Sequence, residues 1–229
     1  MANPEKPTEI TEEFIIVGEG RGDAALIRYL CENRNISGFQ FEDALGASKF
    51  ETFLSGLRAR KGFHALKGII VVADCDDQPD DRFRDIYRQL KAAKLPVPNG
   101  PYTYCQQKNV SALATFVLMV PFSGQPFSGM TPIRGALETI ILPAAEAHAS
   151  KAQIDCLNAY CSCAEINNLG IAARDKTRLR SLIAMSHPDD PNITLPWAIR
   201  PGANLIPLDH PCFNDLAEVI RQLPSRHPG

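Results

Sequence analysis

The chain has 229 residues, of which 45% are hydrophobic and 22% are charged. This composition excludes wholesale disorder and suits one domain of generous size. The 24 Lys and Arg residues and the 26 Asp and Glu residues nearly cancel, which leaves a formal net charge of −2. The chain therefore lacks the basic excess with which a protein binds nucleic acid by charge alone.

The amino-terminal sequence and the cysteines indicate where the protein resides. Residues 1–12 are polar and acidic, without a basic region followed by an apolar one, so we expect a flexible leader and no secretory signal. The longest apolar run, residues 112–122, has about 11 residues, whereas a membrane-spanning helix needs about 20. Seven irregularly spaced cysteines are typical of reduced thiols. We therefore expect a soluble, cytoplasmic protein with no membrane contact.

A group of three cysteines raises the alternative of a metal site. Cys156, Cys161 and Cys163 lie close in sequence but form no pair of CxxC motifs, which zinc sites usually require. Cys156 and Cys163 are seven residues apart and would share one face of a helix. We expect all three to be small buried residues rather than ligands.

Strands and helices alternate over the first hundred residues. Residues 14–17 and 67–73 are almost wholly apolar runs, which is typical of strands buried on both faces of a parallel sheet. Between and after them, apolar residues recur at helical spacing. The predicted elements in chain order are strand 14–17, a helix after residue 23, strand 39–45, helix 50–57, strand 67–73 and helix 79–95. This alternation predicts a parallel sheet with crossover helices.

The rest of the chain differs in composition from the first hundred residues. Residues 96–132 carry a single charged residue, Lys108, and are rich in Pro and Gly, so we predict loops around a fourth strand at 117–120. The helices predicted after this segment are 135–148, 151–163, 175–186 and 213–223. We expect one α/β domain at 13–223, with a mostly parallel central sheet of about four strands, a helical extension at 135–223 and a tail at 224–229.

Acidic residues follow two of the predicted core strands. Glu19 follows the first, and Asp74 and Asp76 follow the strand at 67–73. Residues two apart in an extended segment point the same way, so both Asp carboxylates can face one point at the sheet edge where α/β proteins bind ligands. Clustered carboxylates repel one another, and Mg²⁺ takes oxygen ligands of this kind. Such a cation supports phosphodiester cleavage.

These residues carry a resemblance. The sequences VGEGRGD at 17–23 and VVADCDD at 71–77 resemble the Toprim domain shared by topoisomerases, bacterial primases and nucleases of the OLD (overcoming lysogenization defect) family. The chain resembles the OLD-like branch most, because Asp23 falls four residues after Glu19, and it is also similar to small stand-alone Toprim-like proteins of unknown function. The resemblance implies a Toprim-like fold in which Glu19 is a metal ligand or general acid/base and Asp74 and Asp76 are metal ligands.

Three further roles follow from the same resemblance. Asp23 and Glu138, the latter in the GALE sequence at 135–138, would help to hold a second metal, as in two-metal nucleases. Lys176 would stabilise charge developing on phosphate. One departure is that Gly20 and Arg21 stand where many topoisomerase and primase motifs carry a Lys just after the Glu.

The function implied by the resemblance is a Mg²⁺- or Mn²⁺-dependent nuclease that nicks or cleaves DNA. Because nucleases of the OLD type are commonly coupled to an ABC-like ATPase, and no P-loop sequence occurs in this chain, we expect a separate ATPase partner, with phage defence as a plausible setting. A homodimer is a further expectation. Nucleic acid, DNA above all, would bind weakly to the chain alone.

Two other classes of protein stay open. The chain could be a binding or regulatory module, whose nearly uncharged segment 96–132, with Phe116, Phe122, Phe127 and Met130, would contact a partner. In that reading the acidic residues are helix caps and surface positions. A phosphotransfer receiver domain also clusters acids at strand ends. Such a domain would, however, have an acid pair after its first strand and a lone phospho-acceptor Asp after its third, and it would be about half as long as this chain.

Overall fold

A computed structural model describes residues 9–106, 112–187, 189–203 and 205–228. Its centre is a sheet of five strands. These are β1 (Phe14–Gly18), β2 (Phe39–Asp43), β3 (Gly68–Asp74), β4 (Tyr104–Gln106) and β5 (Ala114–Val120). The strand order is β2-β1-β3-β5-β4, in which all pairs are parallel except that between β5 and β4. The predicted α/β class and mostly parallel sheet are confirmed, with five strands in place of about four.

Helices flank this sheet and fill the second half of the chain. They are α1 (Arg21–Asn33), α2 (Phe50–Leu57), α3 (Pro79–Ala92), α4 (Leu137–His148), α5 (Lys151–Cys163), α6 (Ile171–Ser186), α7 (Leu195–Ala198) and α8 (Asn214–Arg226). Helix α6 begins four residues before the predicted start, and the short helix α7 was not predicted. None of the helices in the described part of the chain has the length and apolar character needed to cross a bilayer.

The apolar runs form the two central strands, as expected. Every residue of β1, β3 and β5 is buried. Their Ile and Val side chains suit a strand covered on both faces, because branched side chains pack well on a pleated surface. Since β1, β2, β3 and β5 run in parallel, their carboxyl ends lie along one edge of the sheet, which we call the carboxyl edge.

The segment predicted to be mostly loop contains three strands besides β5. Strand β4 adds the antiparallel edge, and β6 (Phe122–Gln125) pairs with β7 (Ser128–Pro132) in a separate hairpin. The loop prediction was therefore wrong for these residues. Short strands without an alternating apolar pattern give no clear signal. Gly124, with a φ of +91°, lies at an irregularity in the pairing of this hairpin, where a left-handed conformation favours glycine. Lys108 lies outside the described residues.

The four side chains suggested for a partner surface are buried to different degrees. Phe116 is fully buried in β5. Phe122, Phe127 and Met130 of the hairpin are partly buried and pack against the same core. Phe116 is therefore unavailable to the partner surface suggested by the sequence, whereas the other three side chains pack against the core and keep part of their surface exposed.

The cysteine prediction was right for one residue of the group. Cys161 is fully buried, whereas Cys156 and Cys163 are exposed on α5. Helix α5 buries only the narrow stripe formed by Leu157 and Cys161, so the face shared by the other two cysteines points outward. All seven cysteines are free thiols.

The two ends of the described chain pack against the edge opposite to the carboxyl edge. Ile10 is buried, and its N–H donates to the carbonyl of Lys61 over 2.8 Å. The His227 ring lies 5.7 Å from the ring of Phe14, between ring centroids, and its Nε2 lies 2.9 Å from the carbonyl oxygen of Lys67. Residues 1–8 of the expected leader lie outside the described residues, while part of the expected tail contacts the sheet.

Candidate functional site

Asp74 joins three elements at the carboxyl edge. It is the last residue of β3 and only 7% exposed. Its Oδ1 accepts a hydrogen bond of 2.8 Å from the backbone N–H of Leu137, the first residue of α4, and its Oδ2 accepts one of 3.0 Å from Lys176 Nζ on α6. Asp74 does cap a helix, but the helix is the distant α4, not the α3 that follows in sequence.

Asp76 reaches the same lysine by an irregular backbone path. Its Oδ1 lies 4.0 Å from Lys176 Nζ. The alternation of side chains along a strand does not explain why Asp76 and Asp74 reach the same lysine. Strand β3 ends at Asp74, and Asp76 has a left-handed φ of +50°. This conformation is held by a 2.9 Å hydrogen bond from the N–H of Gly135 to the Asp76 carbonyl. The carboxylates converge as predicted, through turn geometry that an Asp tolerates better than most residues.

Glu19 faces this pair from the end of β1. Its Oε2 accepts a hydrogen bond of 2.6 Å from Arg82 in the first turn of α3, and Arg82 also binds Asp85 at 3.2 Å. Burial raises the pKa of Glu19, Arg82 opposes that rise, and the charges of Asp74 and Asp76 add to it. The first and third strands thus bring their acids into one electrostatic neighbourhood.

Asp23 belongs to this neighbourhood and also caps a helix. Its Oδ2 accepts a 2.7 Å hydrogen bond from the N–H of Gly20, just before α1. Burial, followed by the negative charge of Asp74, raises its pKa to about 7. The charges of Glu19 and Glu138 contribute to the same rise. Asp23 therefore serves α1 as a capping residue and adds negative charge to the cluster.

Glu138 and Lys176 complete the set of predicted residues. Burial raises the pKa of Glu138, while Lys176 lowers it and Asp74 raises it again. Burial alone would lower the pKa of Lys176, but the neighbouring Asp74 and Glu138 carboxylates outweigh it and raise that pKa. Each of the six predicted residues feels the charge of others in the set. The structure thus gathers all six at one edge, and their catalytic and metal-binding roles remain predictions.

The divalent cation implied by the resemblance can be tested against this donor set. Five carboxylates share the site. Burial is the main cause that raises the pKa values of Glu19, Asp23 and Asp74, and neighbouring carboxylates add to the rise. A cation that prefers oxygen ligands would offset the negative charge of this group. In their present positions, no three His, Cys, Asp or Glu side chains of the described residues could hold a metal ion. The donor set fits Mg²⁺ or Mn²⁺ in atom type and charge, and Lys176 and Arg82 now pair with its carboxylates.

Arg82 is the site residue that the sequence analysis missed. Its side chain is only 9% exposed and it binds Glu19 directly. A cation in the first turn of a helix opposes the helix dipole. Such a residue, three positions after Pro79, is a usable signal, because it indicates that a nearby acid compensates the unfavourable position.

A glycine fixes the loop that carries Asp76. The carboxylate of Asp77 packs against Gly170, at the start of α6, so closely that any side chain there would overlap it. Asp77 lies two residues before α3, whose N-cap residue is Gln78. The Asp77 carboxylate lies at the positive end of the α6 dipole. The loop after β3 is thereby held by α6 as well as by Gly135.

Comparison with known proteins yields one family. A search of curated proteins and a search of solved structures found no match. The sequence profile of the family described as "Protein of unknown function (DUF3226)" matches residues 13–225, a range that includes every helix and strand given above apart from the last residue of α8. The chain therefore belongs to the DUF3226 family.

Proposed function

We propose that this chain is a Toprim-type, Mg²⁺- or Mn²⁺-dependent phosphodiesterase that nicks or cleaves DNA. The observation that carries the proposal is the meeting of Glu19, Asp74 and Asp76 with Lys176 at the carboxyl edge of a parallel sheet. That edge is the usual ligand-binding position in open α/β folds. The parallel sheet with β3 beside β1 is compatible with the Toprim-like fold that the sequence motifs resemble.

The carboxylates divide the work of the site. Asp74 and Asp76 would hold the cation, and Asp23 and Glu138 would help to hold a second one. When bound, the cation neutralises phosphate charge and makes water a better nucleophile. Burial raises the pKa of Glu19, which brings that carboxyl closer to neutral pH and suits it to accept or donate a proton.

Two kinds of cation support a phosphate substrate. Lys176, one-third exposed at the edge, is placed to stabilise charge on a phosphate. Arg21 and Arg134 are exposed at the borders of the site, next to the Glu19 turn and to Gly135 respectively. They offer contacts to a polyanionic backbone. With a net charge of only −2, the chain would bind DNA weakly alone. An ABC-like ATPase partner, a homodimer, or both would then bring the DNA to the site. The proposed setting is phage defence in the cytoplasm.

A binding or regulatory module is the second candidate. The observation in its favour is that the inner carboxylates already have partners: Asp74 binds Lys176 and the N–H of Leu137, and Glu19 binds Arg82. A satisfied polar network of this kind can serve to fix the fold alone. In this candidate the acidic residues hold α4, α6 and α3 against the sheet, and the protein acts through contacts with other proteins.

Plasmid nicking distinguishes the two candidates. Purified protein is incubated with supercoiled plasmid and either MnCl₂ or MgCl₂, alongside Glu19→Gln and Asp74→Asn. These variants remove charge but keep hydrogen-bonding groups for Arg82 and for the Leu137 N–H. We expect cation-dependent nicking in the wild type and a loss of about 100-fold or more in both variants.

The control is Asp80→Asn, which removes an exposed carboxylate from the first turn of α3 without touching the cluster. It should nick at the wild-type rate. Equal nicking by all four proteins would identify a contaminating nuclease and remove the enzyme proposal. Absence of nicking together with absence of Mn²⁺ binding would favour the module.

A further inference from the structure

The ammonium group of Lys176 contacts the carboxylates of both Asp74 and Asp76, at a position that we call the Asp74/Asp76 mouth. Its Nζ lies 3.0 Å from Asp74 Oδ2 and 4.0 Å from Asp76 Oδ1. These are the two carboxylates that would hold a cation under the proposed function. A divalent cation bound by both could not coexist with an ammonium at these distances, because like charges so close repel strongly in a partly buried site.

Of the partners of Asp74, Lys176 is the one that can leave. The Leu137 N–H on Oδ1 belongs to the backbone at the start of α4 and is fixed by that helix. Lys176 is 34% exposed and ends a flexible four-carbon chain, so its ammonium can move toward solvent without disturbing α6.

Glu19 differs from Asp74 in this respect. Its partner Arg82 is 9% exposed and is held a second time by Asp85. Moving this guanidinium would uncouple two carboxylates and leave a buried charge without compensation. The exchangeable position of the site is therefore at Asp74 and Asp76, and the Glu19–Arg82 pair stays in place.

We propose that Lys176 is an internal competitor for the divalent cation, which must displace its ammonium from Asp74 and Asp76 in order to bind. This inference rests on the proposed function and adds a regulatory step to the same site. Without a metal, Lys176 offsets the negative charge of the site and so allows it to fold. After displacement, its ammonium remains at the carboxyl edge, where it can bind a phosphate. Cation affinity is thereby reduced until Lys176 has another anion to contact.

The test measures Mn²⁺ affinity with the full chain. Wild type, Lys176→Met and Lys176→Gln are stripped with a chelator and titrated with MnCl₂ in a calorimeter. We expect the dissociation constant to fall about 10-fold in both variants, the size of effect typical when two ligands exclude each other. The Gln variant keeps a hydrogen-bond donor for Asp74, so it provides a folded variant if the Met variant is unstable.

Arg180→Met is the matched control. Arg180 lies one turn after Lys176 on α6, is exposed, and is near enough to lower the pKa of Glu138. It removes the same charge from the same helix without vacating the Asp74/Asp76 mouth, so we expect a change of no more than about 2-fold. A metal-free melting curve should show a lower melting temperature for Lys176→Met than for wild type, because Asp74 loses its partner.

Each outcome decides the inference. Tighter Mn²⁺ binding in both Lys176 variants, with Arg180→Met close to wild type, supports it. Equal or weaker binding in the Lys176 variants overturns it and leaves the proposed function standing, since the wild type still binds Mn²⁺. An equal gain in Arg180→Met overturns it, because general charge would then be the cause. If no protein binds Mn²⁺, both proposals are wrong, and if the affinities rank as expected while DNA stays uncut, only the nuclease proposal is lost.

Discussion

At the scale of single residues, Asp23 is subject to two opposing influences on the pKa of its carboxyl group. Its carboxylate accepts the hydrogen bond from the N–H of Gly20 at the start of α1. The same carboxyl lies among other acids, and burial together with Asp74 raises its pKa to about 7 from an ordinary value of 3.8. The folded protein therefore holds the proton of Asp23 more tightly than the unfolded chain does.

The sign of the resulting pH dependence is definite. A raised carboxyl pKa contributes stability at pH values below the unfolded pKa, and that contribution is lost as the pH rises through the folded pKa. Between about pH 5 and about pH 8, we expect the free energy of unfolding to fall by about 2 kcal/mol more in the wild type than in Asp23→Asn. The measurement is urea unfolding in the presence of a chelator.

Asp80→Asn, at an exposed position, is the control for that experiment and should reproduce the wild-type slope. A slope for Asp23→Asn as steep as that of the wild type would mean that Asp23 is ionised throughout this range. The cap itself survives in the variant, because an Asn side-chain oxygen can still accept from the N–H of Gly20.

The residue scale also shows what the sequence could and could not reveal. Glu19, Asp74 and Asp76 were predictable as neighbours because parallel strands end at a common edge. The partners of these acids were not, because Lys176 and the N–H of Leu137 come from helices more than sixty residues away. Sequence spacing gives no measure of which distant backbone group reaches a given carboxylate.

At the scale of elements, helix α6 positions the site through its N-cap residue, Gly170. Gly170 lets the Asp77 carboxylate approach the start of α6, and Lys176 lies six residues further along the same helix. A methyl group at position 170 would overlap Asp77, so either α6 or the loop after β3 must shift. We expect Gly170→Ala to lower the free energy of unfolding by about 1–3 kcal/mol and to reduce nicking.

Gly56→Ala is the matched control for this substitution. Gly56 lies in α2, and an added methyl group would meet nothing within 4 Å. Because Ala favours helices more than Gly, we expect an unchanged or slightly higher stability, by at most about 1 kcal/mol. A Gly170→Ala protein as stable as the wild type in urea would show that the Asp77 contact is not required.

Among the elements, the long ones were predictable and the short ones were not. Strand β3 is a run of Ile and Val, and its pattern alone indicates a buried strand. Strand β4 has three residues, and the β6–β7 hairpin places exposed Ser and Gly beside half-buried aromatic residues. In such strands the pairing with neighbours decides the structure, and tertiary contacts are invisible in a sequence window.

At the scale of the whole molecule, the two edges of the sheet have separate tasks. The carboxyl edge carries the acidic cluster, while the opposite edge is closed by the carboxyl-terminal turn, where His227 contacts Phe14, Tyr104 and the carbonyl of Lys67. We expect deletion of residues 224–229 to lower the free energy of unfolding by about 1–2 kcal/mol, through lost ring contacts and a lost hydrogen bond.

Mn²⁺ affinity should not change in the shortened protein, because the deleted turn lies at the far edge from Asp74. Ser225→Ala, which alters an exposed residue of the same turn, should leave the urea midpoint unchanged. A shortened protein with weaker Mn²⁺ binding would show that the two edges are coupled.

The contact of Phe14 with His227 has one further consequence. With 5.7 Å between these rings, the start of β1 and the end of α8 come together in space. A short linker can therefore join them, and the chain can be opened elsewhere, for example in the exposed turn after α5, to give a circular permutant. Such a rewired chain would keep β1, β3 and their acids in one continuous piece.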